Sequence, residues 1–222
     1  SRLIEESVPF NMEADSLNCC VLGEDAVPGT PEFKLFIREV RKEMTGKCGQ
    51  KCTAIRRVIV PERLVEDVQI HLAKALDKIT IGDPRNREVR MGSLVSKDQV
   101  AEVKACIEDI SKTAEIVYGS LEAPELIGAS AEHGAFLRPV LMREDKPFEN
   151  LAAHEREAFG PVATIMPYNG LDEAITLAQM GKGSLVSSIV TNDDKIAKEY
   201  VIEAATHHGR ILVLNRASAK ES

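Results

Sequence analysis

Two cysteines that lie four residues apart, Cys48 and Cys52, stand in the segment GKCGQKCTAIRRVIVPE at residues 46–62. Cysteine pairs act as zinc ligands, as redox dithiols or as single nucleophiles, and each use has its own spacing. A zinc site needs four ligands, and no second CxxC or HxxxH pair accompanies these two in the sequence. A thioredoxin-like dithiol has the spacing CxxC rather than CxxxC. We therefore predict no metal site, and one reactive thiol remains as the chemistry of this segment.

The neighbouring glycines do not form a phosphate-binding loop. The pattern G-x-x-x-x-G-K-[ST] would need its first glycine at position 41, which is occupied by Arg41. The segment GKCGQK also lacks the strand–GxGxxG–helix context of a dinucleotide fingerprint. The sequence GKGS at 181–184 fails the same test, and it predicts a turn before a buried strand.

The surroundings of Cys52 favour a reactive thiol without requiring one. Gly49 allows a tight approach of the chain, and we expect the loop to turn towards a short helix. The N–H groups and positive dipole end of such a helix stabilise a thiolate, as would Lys51, Arg56 and Arg57 if their charges are near. Free cysteines are also common as inert core residues. From these residues alone both interpretations stay open.

Strand-like and helix-like segments alternate along the chain. Predicted strands cover residues 8–13, 18–23, 56–61, 115–119, 135–142, 162–167, 184–191 and 210–215. Predicted helices cover residues 31–46, 62–79, 97–113, 171–180 and 193–206. This alternation predicts an α/β fold with a largely parallel sheet that is covered by helices. No repeat or linker divides the 222 residues, so we expect one domain.

Composition excludes several classes of function. The net charge is −7, the 28 Lys and Arg are spread among 35 Asp and Glu, and Trp is absent. Without a basic stripe or aromatic platforms, nucleic acid is not an expected partner. No apolar run approaches the roughly 18 residues of a membrane helix, so no membrane partner is expected either. The odd count of five cysteines does not fit a secreted disulfide framework, which favours a cytoplasmic location.

Three segments together resemble the aldehyde dehydrogenase superfamily. GQKCTAIRR at 49–57 matches its G-Q-x-C pattern, and EAFGPV at 157–162 matches its E-x-F-G-P pattern. NMEADSLNCCVLGED at 11–25 is similar to one branch, which comprises bifunctional ring-cleavage enzymes of phenylacetate degradation and semialdehyde dehydrogenases of benzoyl-CoA degradation. Most members have Glu-Leu-Gly-Gly-Lys in this place, whereas this chain has Glu13-Ala14-Asp15-Ser16. The separation of 39 residues between Glu13 and Cys52 also suits that branch.

The resemblance implies roles for four residues. Cys52 would be the nucleophile, and Glu13 the general base that activates water. Glu157 would accept hydrogen bonds from the cofactor's ribose, and Phe159 would lie against the nicotinamide. The implied cofactor is NADP, with NAD as the alternative, and the implied substrate is a CoA-thioester semialdehyde.

The resemblance also implies a domain organisation. Residues 1–222 would be the aldehyde dehydrogenase catalytic domain, separate from a cofactor-binding domain, an oligomerisation strand and any hydratase domain. The intact protein would be a homo-oligomer, and this domain alone would be inactive. Two other interpretations stay open: a dehydrogenase of free aldehydes with a diverged base segment, or a non-catalytic packing or assembly domain. The joint presence of Cys52, Glu13, Glu157 and Phe159 argues against the latter.

The remaining polar and sulfur-containing residues have structural roles in this interpretation. We expect His207 and His208, which precede Gly209, to end a helix. Either Arg56 or Arg57 is expected to pair with a carboxylate and to hold the catalytic loop. The other cysteines are predicted to pack inside the protein: Cys19, Cys20, Cys48 and Cys106.

Overall fold

Seven strands form one sheet in the computed structural model, which describes residues 2–8 and 16–218. The strands are β1 (Cys19–Leu22), β2 (Arg57–Pro61), β3 (Glu115–Tyr118), β4 (Val140–Arg143), β5 (Val162–Tyr168), β6 (Ser184–Val190) and β7 (His208–Leu214). Their spatial order is β3-β4-β5-β2-β1-β6-β7. Every neighbouring pair is parallel except β3 with β4. The predicted α/β fold with a largely parallel sheet is confirmed.

Helices connect most of these strands. They are α1 (Arg2–Glu5), α2 (Pro31–Thr45), α3 (Val65–Leu76), α4 (Lys97–Ile110), α5 (Ala152–Glu155), α6 (Leu171–Gln179) and α7 (Asp194–Ala204). Single 3₁₀ turns occur at Gly46–Gly49, Glu62–Leu64 and Ala205–His207. The five predicted helices are confirmed as α2, α3, α4, α6 and α7, and their ends shift by a few residues. None of the helices in the described residues could cross a membrane.

Helix α2 shows how the sequence sets a local element. The Thr30 side chain accepts a hydrogen bond from the Phe33 N–H at 3.2 Å, and Pro31 occupies the first turn, where its missing N–H costs nothing. Phe33, Val40 and Met44 lie on one face and are buried against the sheet. Each such side chain contributes about 1.5–3 kcal/mol through burial, which fixes the helix on the sheet. The helix ends beside Gly46, as predicted.

The two faces of the sheet carry different helices because successive strand residues point to opposite sides. Val58 and Val60 pack with α2 and α3, whereas Ile59 packs with α6 and α7. Helix α4 packs through Val103 in a third cluster that includes Val162 of β5. Buried strands covered on both faces explain the near-continuous apolar runs in the sequence.

Several predicted boundaries were wrong. Strand β4 begins at Val140 and not at residue 135, because Pro139 has no N–H to donate to a neighbouring strand. Strand β7 begins at His208, so this residue belongs to a strand, while His207 ends the 3₁₀ turn after α7. The turn predicted at 181–184 is present before β6. From residue 9 onwards, the strand predicted at 8–13 lies outside the described residues, and so does Glu13.

Candidate active site

The strand order brings distant segments together at one edge of the sheet. β5, β2 and β1 are adjacent and parallel, so their amino ends lie side by side. Cys52 precedes β2, Glu157 and Phe159 precede β5, and Ser16 precedes β1. Glu13 belongs to the chain before β1. Open α/β sheets usually bind ligands at the carboxyl ends of their strands. In this chain Cys52, Glu157 and Phe159 lie at the opposite, amino edge.

A left-handed turn carries the chain from α2 to Cys52. Lys47, Cys48 and Gly49 have φ values of 51°, 57° and 68°. A Cβ atom on Gly49 would lie 2.1 Å from the carbonyl oxygen of Gly160, so only glycine permits this approach. The glycine of the G-Q-x-C segment therefore docks directly on the backbone of the E-x-F-G-P segment.

The predicted helix start after Cys52 is absent, and that part of the prediction was wrong. Cys52 lies in a turn at 51–53, the short 3₁₀ helix comes before it, and residues 54–56 run directly into β2. The dipole of a helix that follows Cys52 therefore does not stabilise the thiolate. The neighbouring cation Lys51 pairs with Glu43, with 2.8 Å between Nζ and Oε2.

Exposure separates Cys52 from the other cysteines. Cys52 is exposed, whereas Cys19, Cys20 and Cys48 are buried as predicted. Burial raises the pKa of Cys20 to about 12 and that of Cys48 to about 11, so both are thiols at neutral pH. The Cys48 thiol donates to the carbonyl oxygens of residues 92 and 93, each at 3.1 Å, which agrees with the predicted packing role.

Cys106 was predicted to be buried, and this prediction was wrong. It is half-buried and not buried, because it lies on α4 at the rim of a surface cavity beside Arg156. Its thiol lies 3.8 Å from the carbonyl oxygen of Glu157. Cys52 is thus the cysteine most open to a small molecule.

Asn18 positions the Cys52 turn, although it belongs to none of the motifs in the sequence. Its buried side-chain amide donates to the carbonyl oxygens of Cys52 at 2.8 Å and Ala54 at 3.0 Å. Its Oδ1 accepts from the backbone N–H of Val186 at 2.8 Å, which ties the turn to β6. The signal that could have found it is an amide side chain directly before the apolar run CCVL, since a buried amide must find partners.

Glu157 and Phe159 meet at Arg56. The Glu157 side chain is 7% exposed, and its Oε1 lies 3.3 Å from Arg56 Nε. Its Oε2 accepts from the backbone N–H of Ser16 at 2.9 Å. The ring centroid of Phe159 lies 5.4 Å from the guanidinium carbon of Arg56. The prediction that Arg56 or Arg57 pairs with a carboxylate is therefore confirmed for Arg56.

Arg57 is fully buried, and its side chain bonds to neutral acceptors. It donates to the carbonyl oxygens of Leu17 at 2.8 Å, Leu177 at 2.5 Å and Ala178 at 2.9 Å. It also lies 3.1 Å from Nδ1 of His154. Because Leu177 and Ala178 stand at the end of α6, the cation caps the negative end of that helix.

The arrangement suits a nucleotide ribose at Glu157. An ionised carboxylate has about four lone-pair positions, and the Glu157 contacts with Arg56 and Ser16 use two of them. A cavity of about 150 Å³ adjoins the Cys52 turn, with Thr53, Asn18 and Glu43 among its lining residues. Within residues 2–8 and 16–218, His, Cys, Asp and Glu form no group of three or more that could hold a metal ion.

Comparison with protein families and curated proteins gives consistent matches. The model of the aldehyde dehydrogenase family matches residues 8–219. A 3,4-dehydroadipyl-CoA semialdehyde dehydrogenase from Aromatoleum evansii is 40% identical over 215 residues, which cover 97% of this chain and 42% of the relative. Protein MaoC of Klebsiella aerogenes is 43% identical over 135 residues, which cover 60% of this chain and 38% of the relative. The chain therefore spans about two fifths of the length of these relatives.

Solved structures show the same fold. Betaine aldehyde dehydrogenase from Staphylococcus aureus, in complex with NAD⁺, aligns with a TM-score of 0.79 and 20% identity over 90% of this chain and 38% of that chain. Aldehyde dehydrogenase C from Pseudomonas syringae, in complex with NAD⁺ and octanal, aligns with a TM-score of 0.77 and 22% identity over 90% of this chain and 39% of that chain. At these identities the likeness concerns the fold alone.

Proposed function

The chain belongs to the aldehyde dehydrogenase family, and on that premise we propose that it is the catalytic domain of an NADP-dependent enzyme that oxidises a CoA-linked semialdehyde to the acid. The observation that carries the proposal is the meeting of the Cys52 turn with the Glu157–Phe159 segment at the amino ends of β2 and β5. The Aromatoleum evansii relative supports the substrate class by its name and agrees with the branch indicated by residues 11–25. The setting would be the ring-cleavage step of aerobic phenylacetate degradation, in a cytoplasmic homo-oligomer.

Cys52 would begin the reaction. Its thiolate adds to the carbonyl carbon of the aldehyde, a C–S bond forms, and the C=O π pair moves to oxygen. The backbone N–H of Cys52 would be one donor to that oxyanion. Asn18 supports this role because its bonds to the carbonyls of Cys52 and Ala54 hold the turn in one orientation. A bound nicotinamide would supply the hydride acceptor that converts the adduct into a thioester.

Glu13 would complete the reaction. Its carboxylate takes a proton from water, and the water oxygen attacks the thioester carbon. The C–S bond then breaks, the thiolate returns to Cys52, and the acid leaves. Glu157 and Phe159 carry no proton in this scheme. They would hold the ribose and the face of the nicotinamide, and the NAD⁺ named in both solved relatives makes NAD the alternative to NADP.

Steady-state and single-turnover oxidation by the intact enzyme test this proposal. NADP⁺ reduction would be compared between a CoA-thioester semialdehyde and simple free aldehydes. Cys52→Ala should lower kcat by about 1,000-fold or more. Glu13→Gln should produce one equivalent of reduced cofactor and then stall at the thioester. Cys106→Ala, which removes the half-buried thiol near Glu157, is the matched control and should keep its rate.

Each remaining outcome separates the alternatives. Equal rates on simple aldehydes would indicate a general aldehyde dehydrogenase. Turnover that survives Cys52→Ala would show that Cys52 is not the nucleophile. No oxidation of any aldehyde with either cofactor would favour the non-catalytic packing domain. The 222-residue chain alone should be inactive, and an NADP-dependent rate from it would contradict the proposed division into domains.

A further inference from the structure

Arg56 contacts both motif segments of the candidate site at once. Its side chain is 4% exposed. One terminal nitrogen donates to the carbonyl oxygen of Gly49 at 2.7 Å, and the other donates to the carbonyl oxygen of Gly160 at 2.7 Å. The backbones of Gly49 and Gly160 approach so closely that a Cβ atom on Gly49 would not fit. The guanidinium therefore bridges the Cys52 turn and the Glu157–Phe159 segment at the place where their backbones are in contact.

The remaining edge of the same guanidinium orients the side chains of that segment. Arg56 Nε lies 3.3 Å from Glu157 Oε1, and its charged centre lies 5.4 Å from the ring centroid of Phe159. The Ser16 N–H holds the other carboxylate oxygen, so the carboxylate has one defined plane. A planar fork of donors can satisfy two carbonyls and a carboxylate together, whereas the point charge of a lysine cannot.

Arg56 takes no part in the proposed chemical steps, yet two features of the site depend on it. Glu157 keeps two lone-pair positions for ribose hydroxyls only if its plane is fixed as described. The Cys52 thiol is presented correctly only if its turn stays docked on the same segment. Both conditions depend on contacts made by Arg56.

We propose that Arg56 is a positioning residue that sets the distance between the nucleophile turn and the cofactor-binding segment and orients Glu157 towards the cofactor ribose. Arg56 touches neither aldehyde nor cofactor in this scheme and acts through Gly49, Gly160 and Glu157. The inference rests on the proposed function and names a further residue of the same site.

The test compares Arg56→Lys and Arg56→Gln with the intact wild-type enzyme. Arg143→Gln is the matched control, because Arg143 is likewise an arginine in an ion pair, with Glu66 and Asp145, but it lies at the far end of β4. Arg56→Lys should raise the KM for the cofactor by about tenfold and leave the KM for the aldehyde within about twofold, as expected for the loss of a charge-assisted bond that orients Glu157. Arg143→Gln should change neither constant.

A double-mutant comparison shows whether Arg56 acts through Glu157. In a Glu157→Gln background, Arg56→Lys should add little to the rise in cofactor KM, because the group that it orients has already lost its charge. Fully additive effects of the two substitutions would overturn the inference, since they would mean that Arg56 acts independently of Glu157.

Hydrogen exchange of the cofactor-free protein supplies a measurement that does not require turnover. In Arg56→Gln, amide exchange should accelerate about tenfold or more in peptides covering 47–54 and 157–161, and it should stay unchanged around residue 143. Unchanged exchange in both peptides together with an unchanged cofactor KM in Arg56→Lys would overturn the inference. If the wild-type enzyme oxidises no aldehyde, the proposed function fails, while the exchange experiment still decides whether Arg56 joins the two segments. If Arg56→Gln does not fold, Arg56→Lys carries both measurements.

Discussion

Arg56 and Arg57 are neighbours in sequence, and both side chains are buried, yet they belong to two different regions of the molecule. The Arg56 region comprises Gly49, Arg56, Glu157, Phe159 and Gly160. The Arg57 region comprises Leu17, Arg57, His154, Leu177 and Ala178. In the first region a cation meets a carboxylate and two carbonyls between the segments of the candidate site. In the second region a cation meets three carbonyls and an imidazole.

The difference shows how one residue type supports two tasks. Burial lowers the pKa of both guanidinium groups, and the Glu157 charge opposes that effect at Arg56. Arg57 depends instead on carbonyl dipoles, including those at the end of α6. Phe159 is only partly buried, so water can reach one side of the Arg56 region. We therefore expect damage to the Arg57 region to cost mainly stability, and damage to the Arg56 region to cost mainly function.

The largest expected effect is the loss of stability in Arg57→Met. This substitution removes three charge-assisted hydrogen bonds, to the buried carbonyls of Leu17, Leu177 and Ala178, which should lower the free energy of unfolding by about 3–5 kcal/mol. The Leu17 carbonyl keeps the Ser184 hydroxyl and the Ala178 carbonyl keeps the Gly181 N–H. Arg56→Met should cost less, about 1–3 kcal/mol, because other groups still donate to the partners of Arg56. The Gly49 and Gly160 carbonyls keep the N–H groups of Lys51 and Val162, and Glu157 keeps the Ser16 N–H. Urea denaturation of both variants measures the difference. Equal losses would contradict the proposed contrast between the two regions.

The second effect concerns the docking of Gly49 on Gly160. Gly49→Ala combines a φ of +68° with a Cβ atom 2.1 Å from a backbone oxygen, and it should cost about 2–4 kcal/mol. Gly170→Ala is the matched control, because Gly170 has a φ of +80° and nothing within 4 Å of the added atom. In Gly170→Ala, backbone strain alone should lower the free energy of unfolding by about 1 kcal/mol. If Gly49→Ala and Gly170→Ala gave the same denaturation curve, the backbones of Gly49 and Gly160 would be able to move apart at little cost.

The third effect is a pH dependence located in the Arg57 region. Burial and the Arg57 charge lower the pKa of His154 to about 4, against 6.5 in the unfolded chain. Because the unfolded chain binds this proton more readily, His154 should destabilise the fold as the pH falls from about 6.5 towards 4. Its contribution should be complete above about pH 6.5, and about 2 kcal/mol should be lost at about pH 5.

His154→Gln provides the measurement that isolates this effect. The pKa of His208 is also lowered to about 4 by burial and the Arg57 charge, so it contributes to the same slope. The variant should therefore keep only part of the decline in unfolding free energy between about pH 7.5 and 5. The lowered pKa of Glu32 acts below its ordinary value of 4.5 and lies outside this range. A decline identical to that of the wild type would argue against His154 as its source.

The smallest effect is expected at an ion pair outside both regions. Lys182 and Glu155 form an exposed pair with 2.8 Å between Nζ and Oε1. Exposed pairs contribute little because water screens the charges and the side chains lose entropy, so Lys182→Met should change the free energy of unfolding by under about 1 kcal/mol. Lys182 has a φ of +54°, which the substitution retains. A larger loss in urea denaturation would show that the pair supports α5 and, through it, the Arg57 region.

Much of this fold follows from local sequence. The apolar stripe of α2, Pro31 at its start and Gly46 at its end predicted that helix to within one residue. The strands around Val58 and Val186 were equally clear, because buried parallel strands form short apolar runs. The errors in the strand boundaries occurred at two kinds of place. Pro139 interrupts an apolar segment, so β4 begins after it, and at His208 the turn after α7 continues directly into β7.

The candidate site could be predicted in its residues but not in its contacts. Cys52, Glu157 and Phe159 belong to recognisable patterns, and the family resemblance of those patterns is enough to propose their roles. Asn18 belongs to no such pattern, because its importance depends on the Cys52 carbonyl, which lies in a different strand connection. The expected helix after Cys52 was wrong because the backbone N–H groups of Arg56 and Arg57 donate to the Asn18 carbonyl, which draws the chain directly into β2.

Periodicity and short motifs act over neighbouring residues, so the amino-acid sequence was enough to predict most elements, the family and the residue types of the candidate site. Which of the two adjacent arginines meets Glu157, and which one caps α6, depends on tertiary contacts. That choice follows from the order β5-β2-β1, which places the start of β5 beside the Cys52 turn. Contacts between segments so far apart in the chain arise from strand pairing across the whole sheet, and no local pattern encodes them.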